Sequence, residues 1–407
     1  MVKFIHIADC HIGGWRDEKL KELNLKSFIY VINKCIVEEI DFLIISGDLF
    51  NTSLPGIQYL KETVKQLNIL KENKIPVYLI PGSHDFSPSG KTMLSILEEA
   101  NLVENVFKGK IENELLKLDF TTNTKTNTKI TGLLGRKGTL EKKDYSELDQ
   151  ESLENEEGFK IFLFHSAIDE LKPKNLELMD SMPLSLLPKG FNYYAGGHVH
   201  IVKNISLDGY ENIIYPGPTF PNNFYELEKL KSGGYYLFDN GKVSFNKIEI
   251  INVTSIILDC NDKSSEEVEN ELLLYDKNVE NQIVTIRLYG TLITGKPSDI
   301  NFKHIFSKLY ERKAFFVMKN TYALKNQKFK DIELNQSSSE NIENELIQEY
   351  AEQNKEIKLT REKEIEFTKQ LIKILSEEKN DDEKNENYDH RIVENITSYI
   401  HKKIINN

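Results

Sequence analysis

Short apolar runs separated by stretches of helical period dominate the first half of the chain. Residues 2–8, 42–46, 77–80, 160–164 and 193–195 carry apolar side chains at almost every position. That is the pattern of strands covered on both faces, as in a parallel sheet. Between the first three lie amphipathic stretches over 23–38 and 57–72, so the chain begins as βαβ units. After His200 the period changes. Residues 233–238 and 242–248 flank Asp239-Asn240-Gly241, a strong hairpin signal. The pattern predicts an α/β domain with a layered sheet core, begun by βαβ units and finished by antiparallel strands.

A smaller unit follows around residues 250–325. It reads strand (255–258), helix (266–275), strand (283–288), helix (302–309), strand (315–317). Beyond Lys328 only polar, helix-forming sequence remains. Residues 377–389 are nearly all charged and read as a flexible linker. After them Ile392, Val393, Ile396, Tyr399 and Ile400, continuing through 401–405, form an apolar stripe at helical spacing. The expected division is 1–250, 251–327 and a helical tail over 328–407.

Composition changes this picture little. The chain has 407 residues, 39% hydrophobic and 29% charged, enough for two or three cored domains. No apolar run reaches the roughly 18 residues a membrane helix needs. The opening Met-Val-Lys-Phe-Ile-His lacks a signal-peptide h-region. Cys10, Cys35 and Cys260 are odd in number and far apart, which fits a reducing cytoplasm without a disulfide framework. Net charge is −12, at first an argument against a polyanionic substrate. Residues 331–407, however, hold 11 Lys/Arg and 19 Asp/Glu, so most of the surplus lies in the tail. Residues 308–330 carry Lys308, Arg312, Lys313, Lys319, Lys325, Lys328 and Lys330 against Glu311 alone. The global sign is therefore a poor guide.

Five histidines, His11, His84, His165, His198 and His200, stand just after strand-like runs, and Asp9, Asp48 and Asp85 share those places. The segments are Ala8-Asp9-Cys10-His11, Ser46-Gly47-Asp48-Leu49-Phe50, Pro81-Gly82-Ser83-His84-Asp85, Phe164-His165-Ser166 and Gly196-Gly197-His198-Val199-His200. Loops at the ends of buried parallel strands are where α/β folds place ligands. One such histidine would read as structural; five in one register do not. Imidazole nitrogens mixed with carboxylate oxygens suit Mn²⁺, Fe²⁺ or Zn²⁺ and exclude an all-oxygen Ca²⁺ cage. Cys10 is expected to point into the core, His6 to be a strand residue without catalytic duty, and Trp15 to pack under the first loop.

In this order the five segments resemble the calcineurin-like metallophosphoesterase superfamily. Within it, His11-Ile-Gly-Gly-Trp15, Gly47-Asp-Leu-Phe50, Tyr215-Pro-Gly-Pro218 and residues 285–300 with their Gly-Lys-Pro-Ser-Asp run resemble the SbcD-like DNA double-strand-break repair nucleases. The resemblance covers roughly residues 1–325. It implies a four-layered α/β/β/α phosphoesterase sandwich, a small α/β capping domain that contacts DNA, and a helical C-terminal tail. It implies Asp9, His11 and His200 on a first metal, His165 and His198 on a second, Asp48 bridging, and His84 as general acid or charge stabiliser.

The resemblance further implies two divalent ions, Mn²⁺ foremost, hydrolysing phosphodiester bonds of DNA ends and single strands as exonuclease and endonuclease. Implied partners are a coiled-coil, SMC-like ATPase bound through the tail stripe and a second copy of the chain. The implied location is the cytoplasm, at the nucleoid, with no membrane partner. In the basic run, Arg312, Lys313 and Lys319 are candidate DNA contacts. Two positions depart from the pattern. Ser83 stands where most relatives have an Asn that lends a carbonyl oxygen to the second metal, so that site is expected to be weaker or completed by water. Asn51 stands where several relatives carry a second histidine that handles the DNA strand. The alternatives are another phosphatase or phosphodiesterase of the superfamily, or a catalytically weakened scaffold that holds DNA ends.

Overall fold

The structure, a computed structural model, describes residues 1–87, 92–136, 141–173, 176, 179–326, 360–376 and 385–400. In chain order the first elements are β1 (Lys3–Ile7), α1 (Glu18–Val37), β2 (Phe42–Ser46), α2 (Ile57–Glu72), β3 (Val77–Ile80), α3 (Met93–Glu99) and β4 (Glu104–Asn105). Then come β5 (Gly109–Glu112), β6 (Leu115–Leu118), β7 (Thr121–Asn123), β8 (Thr128–Gly132), α4 (Glu141–Ser146), α5 (Gln150–Glu154), β9 (Lys160–His165) and β10 (Tyr193–Gly197). The sandwich closes with β11 (Val202–Leu207), β12 (Tyr210–Pro216), α6 (Phe224–Leu230), β13 (Gly233–Asp239) and β14 (Lys242–Ile248).

Two six-stranded sheets result, ordered β14-β13-β1-β2-β3-β4 and β11-β12-β10-β9-β8-β7. Their inner faces meet through Phe4, Phe42, Ile44, Tyr78, Ile161, Leu163, Tyr193 and Ala195. The outer face of the first sheet is covered by α1 and α2, through Phe28, Val31, Ile32, Leu67 and Leu70 against Ile5, Ile45 and Leu79. The outer face of the second is covered by Tyr145 of α4, Leu153 of α5 and Leu184 and Leu187 of the loop before β10. This is the expected four-layer sandwich, and it explains why the parallel strands read as unbroken apolar runs. Each such side chain removed from water contributes about 1.5–3 kcal/mol. His6 is a strand residue between the sheets, bonded to the Tyr193 hydroxyl (3.0 Å) and the Ser46 hydroxyl (2.9 Å). Cys10 is fully buried in the outer core, and Trp15 donates Nε1–H to the Pro221 carbonyl at 3.0 Å.

Antiparallel pairing starts earlier than the sequence pattern suggests. The β5–β6 hairpin turns on Asn113 (φ 50°) and Glu114 (φ 67°), a left-handed pair built without glycine. Its strands are four residues long and largely exposed, so they carry no buried run. The expected hairpin at 239–241 is present, with Asn240 and Gly241 at φ 50° and 92°.

The small unit consists of β15 (Asn252–Asp259), α7 (Ser265–Leu273), β16 (Gln282–Leu292), α8 (Phe302–Glu311) and β17 (Phe316–Asn326). It is a parallel three-stranded sheet, β15-β16-β17, packed on α7 and α8. A second apolar cluster, Leu20, Leu23, Phe220, Leu227 and Ile283, joins it to the sandwich. Met1–Asn326 accordingly form one compact unit and Gln327–Asn407 another, with the small sheet belonging to the first.

The tail contains α9 (Arg361–Leu375) and α10 (Asn385–Ile400). Helix α10 begins inside the stretch read as a charged linker, so residues 385–389 are helical; 377–384 lie outside the described residues. Part of the stripe also packs within the tail itself. Ile392 is buried and Tyr399 stacks on Phe367 of α9 at 5.4 Å, while Val393 is exposed. Residues 401–405 of the stripe lie outside the described residues.

Candidate metal centre

β1, β2 and β3 run parallel to one another, as do β9 and β10, so within each sheet their carboxyl ends lie side by side. Ile7 pairs with Ile45, Ser46 with Ile80, and Gly197 with His165. Asp9 and His11 leave β1, Asp48 leaves β2, Ser83 and His84 leave β3, His165 ends β9, and His198 and His200 leave β10. Five of these residues adopt the left-handed backbone region: Asp9 (φ 51°), His11 (43°), Asp48 (53°), His198 (91°) and His200 (55°). Residues with a Cβ avoid that region, at about 1–3 kcal/mol each. The surrounding loops over-determine them. Asp9 N–H donates to the Gly47 carbonyl (3.1 Å) and His11 N–H to the Asp48 carbonyl (2.9 Å). Asp85 accepts from the Leu49, Phe50 and Gly82 amides at 3.0–3.2 Å, so it knits two loops together.

The side chains then converge. Ligand atoms of Asp9, His11 and His200 lie within 4.8 Å of one another, as do those of His11, Asp48 and His84, and of Asp9, Asp48 and His165. Asp48 Oδ2 stands between two imidazoles, 3.6 Å from His11 Nε2 and 3.2 Å from His165 Nε2. His11 Nε2 and His200 Nε2 are 3.0 Å apart. Neighbours fix the ring orientations. His165 Nδ1 bonds the Ser46 carbonyl (2.8 Å), His200 Nδ1 the Glu226 carboxylate (2.8 Å) and His84 Nδ1 the Asn51 carbonyl (2.8 Å). An Nδ1–H donated outward leaves the Nε2 lone pair aimed inward, the arrangement of metal-ligating histidine.

These residues fit a pair of divalent ions. His165 Nε2 is buried without a hydrogen-bond partner and faces Asp48 Oδ2 at 3.2 Å, a place for positive charge to be shared. Electrostatics agree. Burial disfavours charge on His165, yet Asp48 and Asp9 beside it override that and push it up to about 10. His200 likewise rises to about 9, against its burial, because of Asp9 and Glu226. Burial holds His11 down at about 3 and His198 at about 4. Such a cluster calls for fixed positive charge.

A family model described as Calcineurin-like phosphoesterase matches residues 2–202. A DNA double-strand break repair protein Mre11 of Methanococcus maripaludis is 31% identical over 263 residues, 62% of this chain and 67% of that protein. The chain belongs to this family. The Archaeoglobus fulgidus Mre11 protein is 27% identical over 67% of this chain and 64% of its own length. That of Sulfolobus acidocaldarius is 29% identical over 72% and 76%. The alignments thus span about two-thirds of these relatives.

Of the residues expected at the centre, Asp9, His11, Asp48, His84, His165 and His200 supply the converging atoms. His198 lies beside them, its ring 5.2 Å from that of His165 and its amide donating to Asp9 Oδ1 at 2.9 Å. Ser83 is buried and its hydroxyl reaches Asp48 Oδ2 at 3.4 Å. Asn51 contributes through its backbone, to His84.

Sequence reasoning missed Glu226, which holds His200, and Asn222, whose Nδ2 reaches the Asp9 carbonyl at 3.5 Å. The only local signal was Asn223-x-x-Glu226, an N-cap pattern: the Asn223 side chain accepts from Glu226 N at 2.9 Å. The basic candidates are not brought to this centre. Arg312 donates to the Tyr275 and Lys277 carbonyls, Lys313 pairs with Glu280 at 3.0 Å, and Lys319 sits 3.5 Å over the Phe302 ring. All three are engaged within the small domain.

Proposed function

We propose that this chain is a metal-dependent nuclease that hydrolyses phosphodiester bonds of DNA, with exonuclease and endonuclease action, in the repair of double-strand breaks. The observation that carries the reading is the Asp48 carboxylate set between His11 and His165, beside a centre whose relatives are named as break-repair proteins. Two divalent ions, Mn²⁺ in our reading, would supply charge neutralisation at the phosphate and an activated water. Asp9, His11 and His200 would hold the first, and His165 and His198 the second, with Asp48 shared and Ser83 a weak contributor. His84, oriented through Asn51 and with its ring 4.6 Å from that of His11, would face the scissile phosphate through Nε2 and serve the leaving oxygen.

The tail hairpin α9–α10 is then the docking element for a coiled-coil, SMC-like ATPase, and the phosphoesterase domain the surface for a second copy. Among the described residues no helix is long and apolar enough to cross a membrane, and a place at the nucleoid follows from the DNA reading alone. The test is a cleavage assay on single-stranded and blunt duplex DNA with Mn²⁺ or EDTA. Cleavage that requires the metal and disappears in His84→Ala is the expected result. Cleavage indifferent to EDTA, or an undiminished His84→Ala variant, refutes the reading.

A further inference from the structure

Helix α6 is fastened on two sides. Toward the centre, Glu226 accepts from His200 Nδ1 at 2.8 Å and from the Asn222 amide at 2.7 Å. Toward the small sheet, Glu228 is buried and both its oxygens meet Arg287 Nε of β16, at 2.8 and 2.9 Å. The Arg287 guanidinium also lies over the Phe224 ring at 5.1 Å. Between the two glutamates, Leu227 is fully buried in the cluster that contains Ile283 of β16. Lys231, just past the helix, bonds the Ser255 hydroxyl of β15.

We infer that Arg287 and Glu228 are positioning residues for the first metal: the small sheet holds α6, and α6 holds His200. Both roles presuppose the metal centre proposed above. A seven-residue helix is short and stiff, so a shift at Glu228 is transmitted to Glu226, two residues back on the opposite side of the same turn. His200 stands in a left-handed backbone conformation and keeps its inward Nε2 only while Glu226 receives Nδ1–H. Arg287 sits 87 residues beyond His200 in sequence and touches no ligand, so its effect is indirect. Neighbouring-shell partners of metal histidines typically govern affinity by about 10–100-fold. One consequence is that any ligand displacing the small sheet would loosen one metal and spare the other.

The experiment is Mn²⁺ titration of the full-length chain, with free Mn²⁺ followed by electron paramagnetic resonance, in Arg287→Met and in the isosteric Glu228→Gln. Each variant is expected to weaken one of the two ions about 10-fold and to leave the other within twofold. The exchange Glu228→Arg with Arg287→Glu, and separately Arg287→Lys, should recover part of the loss. Lys263→Met, which breaks the Lys263–Glu271 pair of the same small domain, should change neither ion. Two unchanged affinities in both variants would overturn the inference, as would equal weakening of both ions together with a lowered melting temperature. A wild-type chain that binds no Mn²⁺ would overturn the metal reading and the inference with it.

Discussion

A methyl group at Gly82 tests how tightly the centre is built. A Cβ there would lie 2.2 Å from Asp48 Oδ1, 2.3 Å from Asp48 N and 2.7 Å from Asp48 Cγ. Ordinary contacts of that kind are about 3.5 Å or longer, so the loops must part by more than 1 Å. Asp48 has little room to yield, because its backbone is left-handed and its Oδ1 also accepts the His84 amide at 2.8 Å. Gly82 N donates to Asp85 at 3.2 Å, so the two loops would be pushed apart where they are stitched. A displacement of about 1 Å at a reacting centre costs on the order of 100-fold in rate, about 2.7 kcal/mol of barrier. Gly82→Ala should therefore lose about 100-fold in Mn²⁺-dependent DNA cleavage and bind the metals more weakly, with its far-ultraviolet circular dichroism unchanged. Gly56→Ala, where a Cβ meets nothing closer than 3.3 Å, is the control and should stay within twofold. Wild-type metal affinity and cleavage in Gly82→Ala would refute the close approach on which the site's construction rests.

Ser83→Asn places a longer, better oxygen ligand beside Asp48 and should lower the Mn²⁺ needed for half-maximal cleavage about 10-fold; an unchanged or raised requirement contradicts the weak-ligand role. Burial holds His6 down at about 3, so below pH 6.5 the unfolded chain gains a proton that the folded chain does not, and stability falls with falling pH. In urea titrations of EDTA-treated protein, the wild type should lose about 1 kcal/mol more than His6→Gln between pH 6.5 and 5.5; parallel losses would show that His6 takes no part. Removal of residues 327–407, a separate compact unit, should leave cleavage of short DNA within about twofold while abolishing co-purification with a coiled-coil ATPase. Loss of basal cleavage, or undiminished ATPase binding, would place the tail differently.

The parallel strands and their loop ligands were legible because burial on both faces writes an unbroken apolar run, and each run stops where a ligand begins. The β5–β6 hairpin was not, since exposed four-residue strands turning on Asn113-Glu114 leave no periodic trace. Glu226 was invisible as a partner of His200 because the pair is 26 residues apart and joined only by the fold. Charge read along one dimension could not tell a free cation from Arg312, whose guanidinium closes on carbonyls of its own domain. The α10 stripe announced that something covers it, and its spacing could not say that Tyr399 stacks on Phe367 of α9.

The shared carboxylate is the centre of the account. Replacing Asp48 with Asn keeps its shape and removes the negative charge that faces both His11 and His165. Mn²⁺ stoichiometry measured on Asp48→Asn alongside DNA cleavage should show fewer than two tightly bound ions and no hydrolysis above background. Two tightly bound ions with full cleavage in that variant would contradict the two-metal site.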